Sequence, residues 1–284
     1  MAWFDANGPD YPWRRAEDDP FAVLVSEVML QQTQATRVEE IFPRFMARFP
    51  TVVHLAEAST GDIVRAWAGL GYHRRAVALH EAARAIVDRH GGEVPRDLEA
   101  LRALPGVGPY TAAAVASIAF GVPVATVDTN ARKVLARLDH GAERDEITPR
   151  EAAVAAERWL DDARPGDWNQ AVMNLGRDVC LTAPRCDACP LARVCRFRAS
   201  GRTGRPSVRR QPAFDGSMRQ VRGAVVSQLR DHPTLSIARL ATLTGHDASR
   251  VTEAVTALHR DGVVTATVRA LDGNGAGRVR LPRT

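Results

Sequence analysis

Four cysteines, Cys180, Cys186, Cys189 and Cys195, fall within sixteen consecutive residues, and the chain holds no others. No leader-like apolar segment precedes them, so the expected compartment is the cytosol, where clustered thiols ligate metal or act in catalysis rather than forming disulfides. The spacing is C-x5-C-x2-C-x5-C. Zinc sites are usually built from two close pairs. Here one close pair exists and three thiols crowd into the last ten residues of the run. That crowding favours a [4Fe–4S] cluster, which four thiolates can hold, while spacing alone leaves zinc open. Either metal would pin a loop of irregular chain to its surroundings.

The 284 residues suffice for one or two domains, and a hydrophobic share of 45% supports a sizeable core. No run approaches the length of a membrane span. The net charge of +5 is unevenly placed. Residues 1–195 carry 22 basic and 27 acidic side chains, net −5, whereas residues 196–284 carry 16 and 6, net +10. A polyanionic partner would be gripped partly by the tail.

Apolar residues recur at three- and four-residue spacing over 20–31, 35–48, 61–69, 74–90 and 149–163, which predicts helix after helix. Breaks fall at Pro50, Gly71, Gly91-Gly92, Pro105-Gly106 and Pro165-Gly166. The fold class is therefore all-α. An arginine-, glycine- and proline-rich stretch over 198–217 reads as a flexible basic linker. Beyond it, residues 218–284 read as three short helices, a strand over Val263–Val268, a turn at 272–277 and a return strand over Arg278–Leu281. That order suggests a winged-helix-like module, suited to DNA or to protein contact.

Three places carry candidate chemistry. In LPGVGPYT, Gly106 and Gly108 let backbone N–H groups approach a ligand, and the helix beginning near Pro109 directs its N-terminus, with Thr111 in its first turn, at an anion such as a DNA phosphate. A plain interhelical turn is the other reading. Asp128, in VATVDTNARKVLARL, precedes a helix and suits either a cap or a reacting carboxylate. Glu27, inside the largely apolar FAVLVSEVMLQQT, is either the polar stripe of an amphipathic helix or a desolvated acid able to donate a proton.

SEVMLQQT, GLGY, LPGVGPYTA, VDTN and NQAVMNLG followed by the cysteine run occur together and in this order. Across roughly residues 3–197 the chain closely resembles the adenine DNA glycosylases of mismatch repair, the MutY family of the helix-hairpin-helix superfamily that includes endonuclease III. The resemblance implies a glycosylase core over 1–197. Within it a six-helix barrel domain would cover about 20–130, and an iron–sulfur domain would combine the N-terminal segment with 131–197. It implies that Glu27 protonates the purine and that Asp128 stabilises the sugar cation or briefly bonds to it, with Tyr110 and Asn130 orienting both. Two carboxylates, one protonated and one ionised, flank the breaking bond as in glycoside hydrolysis. It further implies that Gln32 and Tyr72 wedge into the base stack to offset the cost of flipping a nucleotide, and that Trp13 lines the base pocket. It assigns the four cysteines to a [4Fe–4S] cluster that ties down a loop and presents Arg185 and Arg193 near DNA. Bifunctional relatives carry a lysine at the position of Tyr110. The only lysine here, Lys133, lies in the next helix, so efficient lyase chemistry is not expected.

The chain departs from that family in several places. Asn174 stands where an acidic residue usually contacts the flipped adenine, and Tyr11 replaces a leucine before Pro12-Trp13. The first cysteine interval is one residue shorter, and VDTN replaces the commoner VDGN. Where many family members carry a Nudix-type domain, the residues after Cys195 are expected to form the winged-helix-like module instead. The expectation is a monomeric, monofunctional enzyme of the cytoplasm or nucleoid, acting on duplex DNA that contains a mispaired or damaged base. It would release adenine opposite 8-oxoguanine or guanine. The alternatives are a glycosylase of the same fold for thymine or uracil opposite guanine or for a modified base, and a non-catalytic DNA-binding protein. The presence of both carboxylates argues against the last.

Overall fold

The computed structural model describes residues 1–205 and 213–283. Residues 206–212, part of the expected linker, and residue 284 lie outside the described residues. The architecture is helical, with one small sheet near the C-terminus. The chain divides into two compact units. One comprises Met1–Glu27, Pro95–Ala103 and the chain from Val107 to the linker. The other comprises Val28–Val94, Leu104–Gly106 and the chain after the linker.

In the first unit, Pro109–Phe120 has proline at its start and buries every residue from Thr111 to Ser117. A helix apolar on all sides belongs in a core. Pro165–Asp178 packs beside Thr129–Leu135, and a Cβ on Gly176 would sit 2.7 Å from the Asn130 carbonyl oxygen, so glycine is what permits this approach. Val134, Leu135, Trp168, Val172 and Leu175 form the shared core, against which Cys180, Cys189 and Leu191 pack. Arg137 is 2% exposed and pairs with Glu143 at 2.9 Å. The same guanidinium donates to the Leu181 carbonyl at 2.6 Å and lies over the Phe197 ring. This buried cation thus anchors both ends of the cysteine loop. The described start of the linker is also held: Arg202 pairs with Glu146 at 2.9 Å and Arg205 with Asp145 at 3.1 Å.

In the second unit, Ala35–Arg48 buries Val38, Ile41, Phe42 and Phe45, a helical stripe. Arg74–His90 buries eight residues along its inner face. The expected helices over 20–31, 35–48, 61–69 and 74–90 are observed as Pro20–Leu30, Ala35–Arg48, Thr60–Ala66 and Arg74–His90. Val52–Glu57 was not anticipated, being too short to display a period.

The C-terminal module consists of helices Met218–Asp231, Ile237–Thr244 and Ala248–Arg260 with a sheet of strands β1 (Leu235–Ser236), β2 (Thr265–Ala266) and β3 (Arg278–Arg280), ordered β1-β3-β2 and antiparallel. Two features differ from the sequence reading. β1 is too short to leave a pattern. The expected strand over Val263–Val268 narrows to β2 because Val268–Leu271 turns into a short helix that buries Ala270. The core of the module, including Val225, Leu229, Leu240, Val255 and Val279, is continuous with Val64 and Val77 of the preceding helices. The Gly61 N–H donates to the Pro282 carbonyl at 3.0 Å. The module is therefore an integral part of its unit.

Candidate active site

Glu27 rides on Pro20–Leu30, whose start is capped by Asp19 accepting from the Phe21 N–H at 2.9 Å. Its neighbours from Phe21 to Val25, with Val28 and Met29, are all buried. Glu27 itself is 7% exposed. A carboxylate there cannot be hydrated, so burial, reinforced by the nearby Asp128 charge, pushes the Glu27 pKa up to about 7.

Asp128 arrives on the extended chain after Pro109–Phe120. That chain is pinned by Asn169, whose amide accepts from the Thr126 N–H at 2.8 Å and donates to the Ser117 hydroxyl and the Val124 carbonyl, each at 2.9 Å. The Asp128 side chain caps Thr129–Leu135 by accepting from the Ala131 N–H at 2.6 Å. Asp128 is therefore a cap, and it stands in the same electrostatic cluster as Glu27. Burial raises its pKa, but the Ala131 and Asn130 N–H groups, the Lys133 cation and the Asn130 side chain oppose the rise. Glu27 has no such donors in its balance. The pair is thus biased toward a protonated Glu27 beside an ionised Asp128. The Tyr110 hydroxyl donates to the Met173 sulfur at 3.1 Å. Burial and both carboxylates push its pKa well above the ordinary value, so it stays a neutral phenol. Lys133 donates to the Gly176 carbonyl at 2.7 Å.

Tyr11 and Trp13 stack with ring centroids 4.5 Å apart and planes 14° apart, and Trp13 is buried. Arg177 donates to the Tyr11 hydroxyl at 3.2 Å. Asn174, one residue beyond Met173, is 5% exposed, and its Nδ2 lacks a hydrogen-bond partner. A buried orphan donor in a native fold calls for an explanation such as a ligand.

In the second unit, Gln32 and Tyr72 have φ of 56° and 45°, the only positive values at non-glycine positions among the described residues. Bulky side chains adopt this conformation at a cost and tend to do so at functional turns. One residue holds both turns. Arg75 donates to the carbonyls of Val28 at 2.9 Å, Met29 at 2.8 Å and Gln31, to the Thr33 hydroxyl at 2.9 Å, and to the carbonyls of Leu70 and Gly71 at 3.3 Å. The burial this requires depresses its pKa to about 10, so it remains a cation. No sequence signal marks Arg75, since its role depends on the end of the helix Pro20–Leu30 with the turn after it meeting a turn at 70–71, about forty residues away along the chain. Asn169 and Met173 lay inside a recognised motif, but their roles required the fold. Gly106, at φ +73°, has a virtual Cβ 2.7 Å from the Ala78 Cβ, so both its conformation and its space require glycine. Gly108 is the cap of Pro109–Phe120, with Thr111 buried in the first turn.

The four cysteines are all partly exposed thiols. Burial raises Cys180 and Cys189, and Cys189 also senses the charges of Cys180, Cys195 and Cys186. Among the described residues no group of three or more His, Cys, Asp or Glu side chains is arranged to hold a metal ion. In kind and number, nevertheless, the donors match a four-thiolate cluster.

Residues 25–161 match the family described as the HhH-GPD superfamily of base excision DNA repair proteins. A solved thermostable thymine-DNA glycosylase superposes with a TM-score of 0.65 at 28% identity, covering 70% of this chain and 93% of that one. The fold and site thus define a helix-hairpin-helix protein of base excision repair. Within that class, the adenine DNA glycosylase of Mycolicibacterium smegmatis is 39% identical over 280 residues, covering 97% of this chain and 95% of its own. The human adenine DNA glycosylase is 44% identical over 214 residues, 70% of this chain and 38% of its own. The chain belongs to the adenine DNA glycosylase family.

Proposed function

We propose that the protein is a monofunctional DNA glycosylase that removes adenine mispaired with 8-oxoguanine or guanine from duplex DNA. The observation that carries this reading is the contrast between Glu27, desolvated without compensating donors, and Asp128, buried but hydrogen-bonded. In the proposed reaction the Glu27 carboxyl gives its proton to a ring nitrogen of the extruded adenine. The bond from C1′ to the base then breaks, and its electron pair leaves with the adenine. The Asp128 carboxylate stabilises the cationic sugar, and Tyr110 and Asn130 hold the two carboxyl groups in place. A water attacks C1′ and passes its proton to the Glu27 carboxylate, leaving an abasic site. Tyr11 and Trp13 supply an aromatic wall for the base, with Asn174 as a polar contact. Gln32 and Tyr72 fill the space vacated in the stack, and Gly106, Gly108 and Thr111 receive a phosphate. Lys133 is committed to the Gly176 carbonyl, which supports base release without strand scission.

The core would span residues 1–197, with the linker over 198–217 and the module over 218–284. Cys180, Cys186, Cys189 and Cys195 would hold a [4Fe–4S] cluster. The cluster would brace the loop and supply no electron to the hydrolysis. A monomer suffices, because the carboxylate pair comes from one chain. Among the described residues no helix is long and apolar enough to cross a membrane, and DNA as substrate would place the enzyme at the nucleoid.

The test is single-turnover base release from duplexes bearing adenine opposite 8-oxoguanine, guanine, cytosine or thymine, and thymine or uracil opposite guanine. Fast adenine release opposite 8-oxoguanine or guanine supports the proposal. Release of another base instead supports a second reading that the orphan Asn174 donor keeps in view. An amide at this position can pair with acceptors on bases other than adenine.

A further inference from the structure

Within the second unit the C-terminal module and the two strained turns share one groove of about 1180 Å³. Its lining includes Gln32, Tyr72 and Gly106, Phe214 from the end of the linker, and Arg219, Arg222 and Arg260 from the module. Five arginines (74, 75, 219, 222 and 260) face it against two acids, Glu81 and Asp261. Arg222 pairs with Asp261, which removes one cation and one acid from the balance and leaves four arginines against Glu81. Two large side chains that remain exposed, Tyr72 at 40% and Phe214 at 57%, also line the groove. Guanidinium groups interleaved with exposed aromatic rings suit a nucleic-acid backbone and its bases better than an apolar peptide. Burial, helped by Arg230, Arg222 and Arg75, lowers the His73 pKa to about 4, so His73 adds no charge to the groove near neutrality. The Arg219 guanidinium donates to the Tyr72 hydroxyl at 3.3 Å. The module that carries Arg219 cannot drift from Tyr72, because its core is continuous with Val77 on the helix beginning at Arg74.

We propose that this groove is a duplex-DNA contact surface to which the C-terminal module contributes, with Arg219 both contacting a phosphate and positioning Tyr72 beside it. This rests on the reading that duplex DNA is the substrate, but it does not depend on which base is removed. The module then does more than hold DNA loosely through charge. It fixes one of the side chains expected to replace the extruded nucleotide, which a disordered basic tail could not do.

The experiment measures affinity for a lesion-free duplex across a salt series, using the full chain, R219A, Phe214→Ala and Arg239→Ala as a charge-matched control on an exposed helix position. Arg219→Ala should weaken binding on the order of tenfold, the fold-change of one charge-assisted contact. It should also lower the slope of log affinity against log salt by about one. Phe214→Ala should weaken binding at every salt concentration without changing the slope. Arg239→Ala should change neither quantity, and thermal melting of each variant controls for folding. Tyr72→Phe removes the accepting hydroxyl, and adding it to R219A should cost less than it costs alone. Arg219→Ala and Phe214→Ala both indistinguishable from Arg239→Ala would overturn the surface, and strict additivity of R219A and Y72F would overturn the positioning role. If the wild type releases no adenine yet R219A still loses duplex affinity and salt slope, the surface stands and the assigned reaction fails.

Discussion

Replacing Glu27 with glutamine should make the protein more stable and less active, and the two effects should share one pH dependence. In the folded protein the Glu27 pKa lies at about 7, against an ordinary value of 4.5. A carboxyl whose pKa is raised by folding binds its proton more tightly in the folded state. Its favourable contribution is complete below pH 4.5 and is lost as the pH rises through about 7. At about 1.36 kcal/mol per pH unit, the loss amounts to about 3 kcal/mol at alkaline pH. Glutamine cannot ionise and escapes that loss. Relative to wild type, Glu27→Gln should therefore gain about 3 kcal/mol between pH 4.5 and pH 8, or roughly 6 °C in melting temperature for a chain of this length. Base release should behave oppositely. In the wild type the single-turnover rate should be half-maximal near pH 7, where Glu27 is half protonated, and fall about tenfold per unit above it. In Glu27→Gln no proton can be donated and the rate should collapse at every pH. The assays are melting curves and single-turnover base release over the same pH series. A wild-type rate that stays flat from pH 6 to 9, or a melting difference between the two proteins that does not change with pH, would refute the reasoning.

Asp128→Asn should keep the cap on the Ala131 N–H, because asparagine caps as well as aspartate. Base release should nonetheless fall about a hundredfold or more, with melting temperature and duplex affinity nearly unchanged. Cys186→Ser should lose bound iron and the visible absorbance of an iron–sulfur protein purified anaerobically; a colourless wild type containing one zinc would refute the cluster. Arg75→Gln cannot span the carbonyls on both turns and leaves buried acceptors unpaired, at a cost of about 1–3 kcal/mol each. It should lower the melting temperature, and it should slow base release from duplex more than from single-stranded DNA, since only the duplex needs its stack filled. Equal slowing on both substrates would show that Arg75 acts on the fold alone.

The long helices were legible because each displays a period over ten or more residues: Val38, Ile41, Phe42 and Phe45 announce a buried stripe without any structure. Short elements left no such trace. β1 and β2 have two residues each, and Val268–Leu271 interrupts a stretch whose β-branched residues read as strand. Tertiary burial of Ala270 overrode local propensity there. Candidate site residues were legible where chemistry and resemblance coincided. Glu27 stood out as a lone acid in an apolar run, and Asp128 as an acid before a helix. What the sequence could not supply was the environment of each. The orphaned Nδ2 of Asn174, the sulfur accepting from Tyr110 and the grip of Asn169 on the approach to Asp128 are all contacts between segments distant along the chain.

The same separation explains why the sequence drew attention to Gln32 and Tyr72 but not to Arg75. The role expected of those two side chains followed from the motifs in which they lie, SEVMLQQT and GLGY. The strain beneath them is a property of backbone, and φ values of 56° and 45° persist only if something else holds the turns. Here that something is one guanidinium. Its planar fork reaches Val28 and Met29 at the end of one helix, Gln31 in the turn after it, and Leu70 and Gly71 in the other turn, which a lysine ammonium could not do from a single position. Retaining a cation there costs desolvation, visible in its pKa of about 10. Retaining Glu27 costs about 3 kcal/mol above neutral pH. Neither residue is what stability alone would select. Both costs fall where the proposed reaction needs a proton poised for transfer and two side chains poised against the stack, and they are offset by apolar cores in which residues such as Leu135 and Val255 are completely buried.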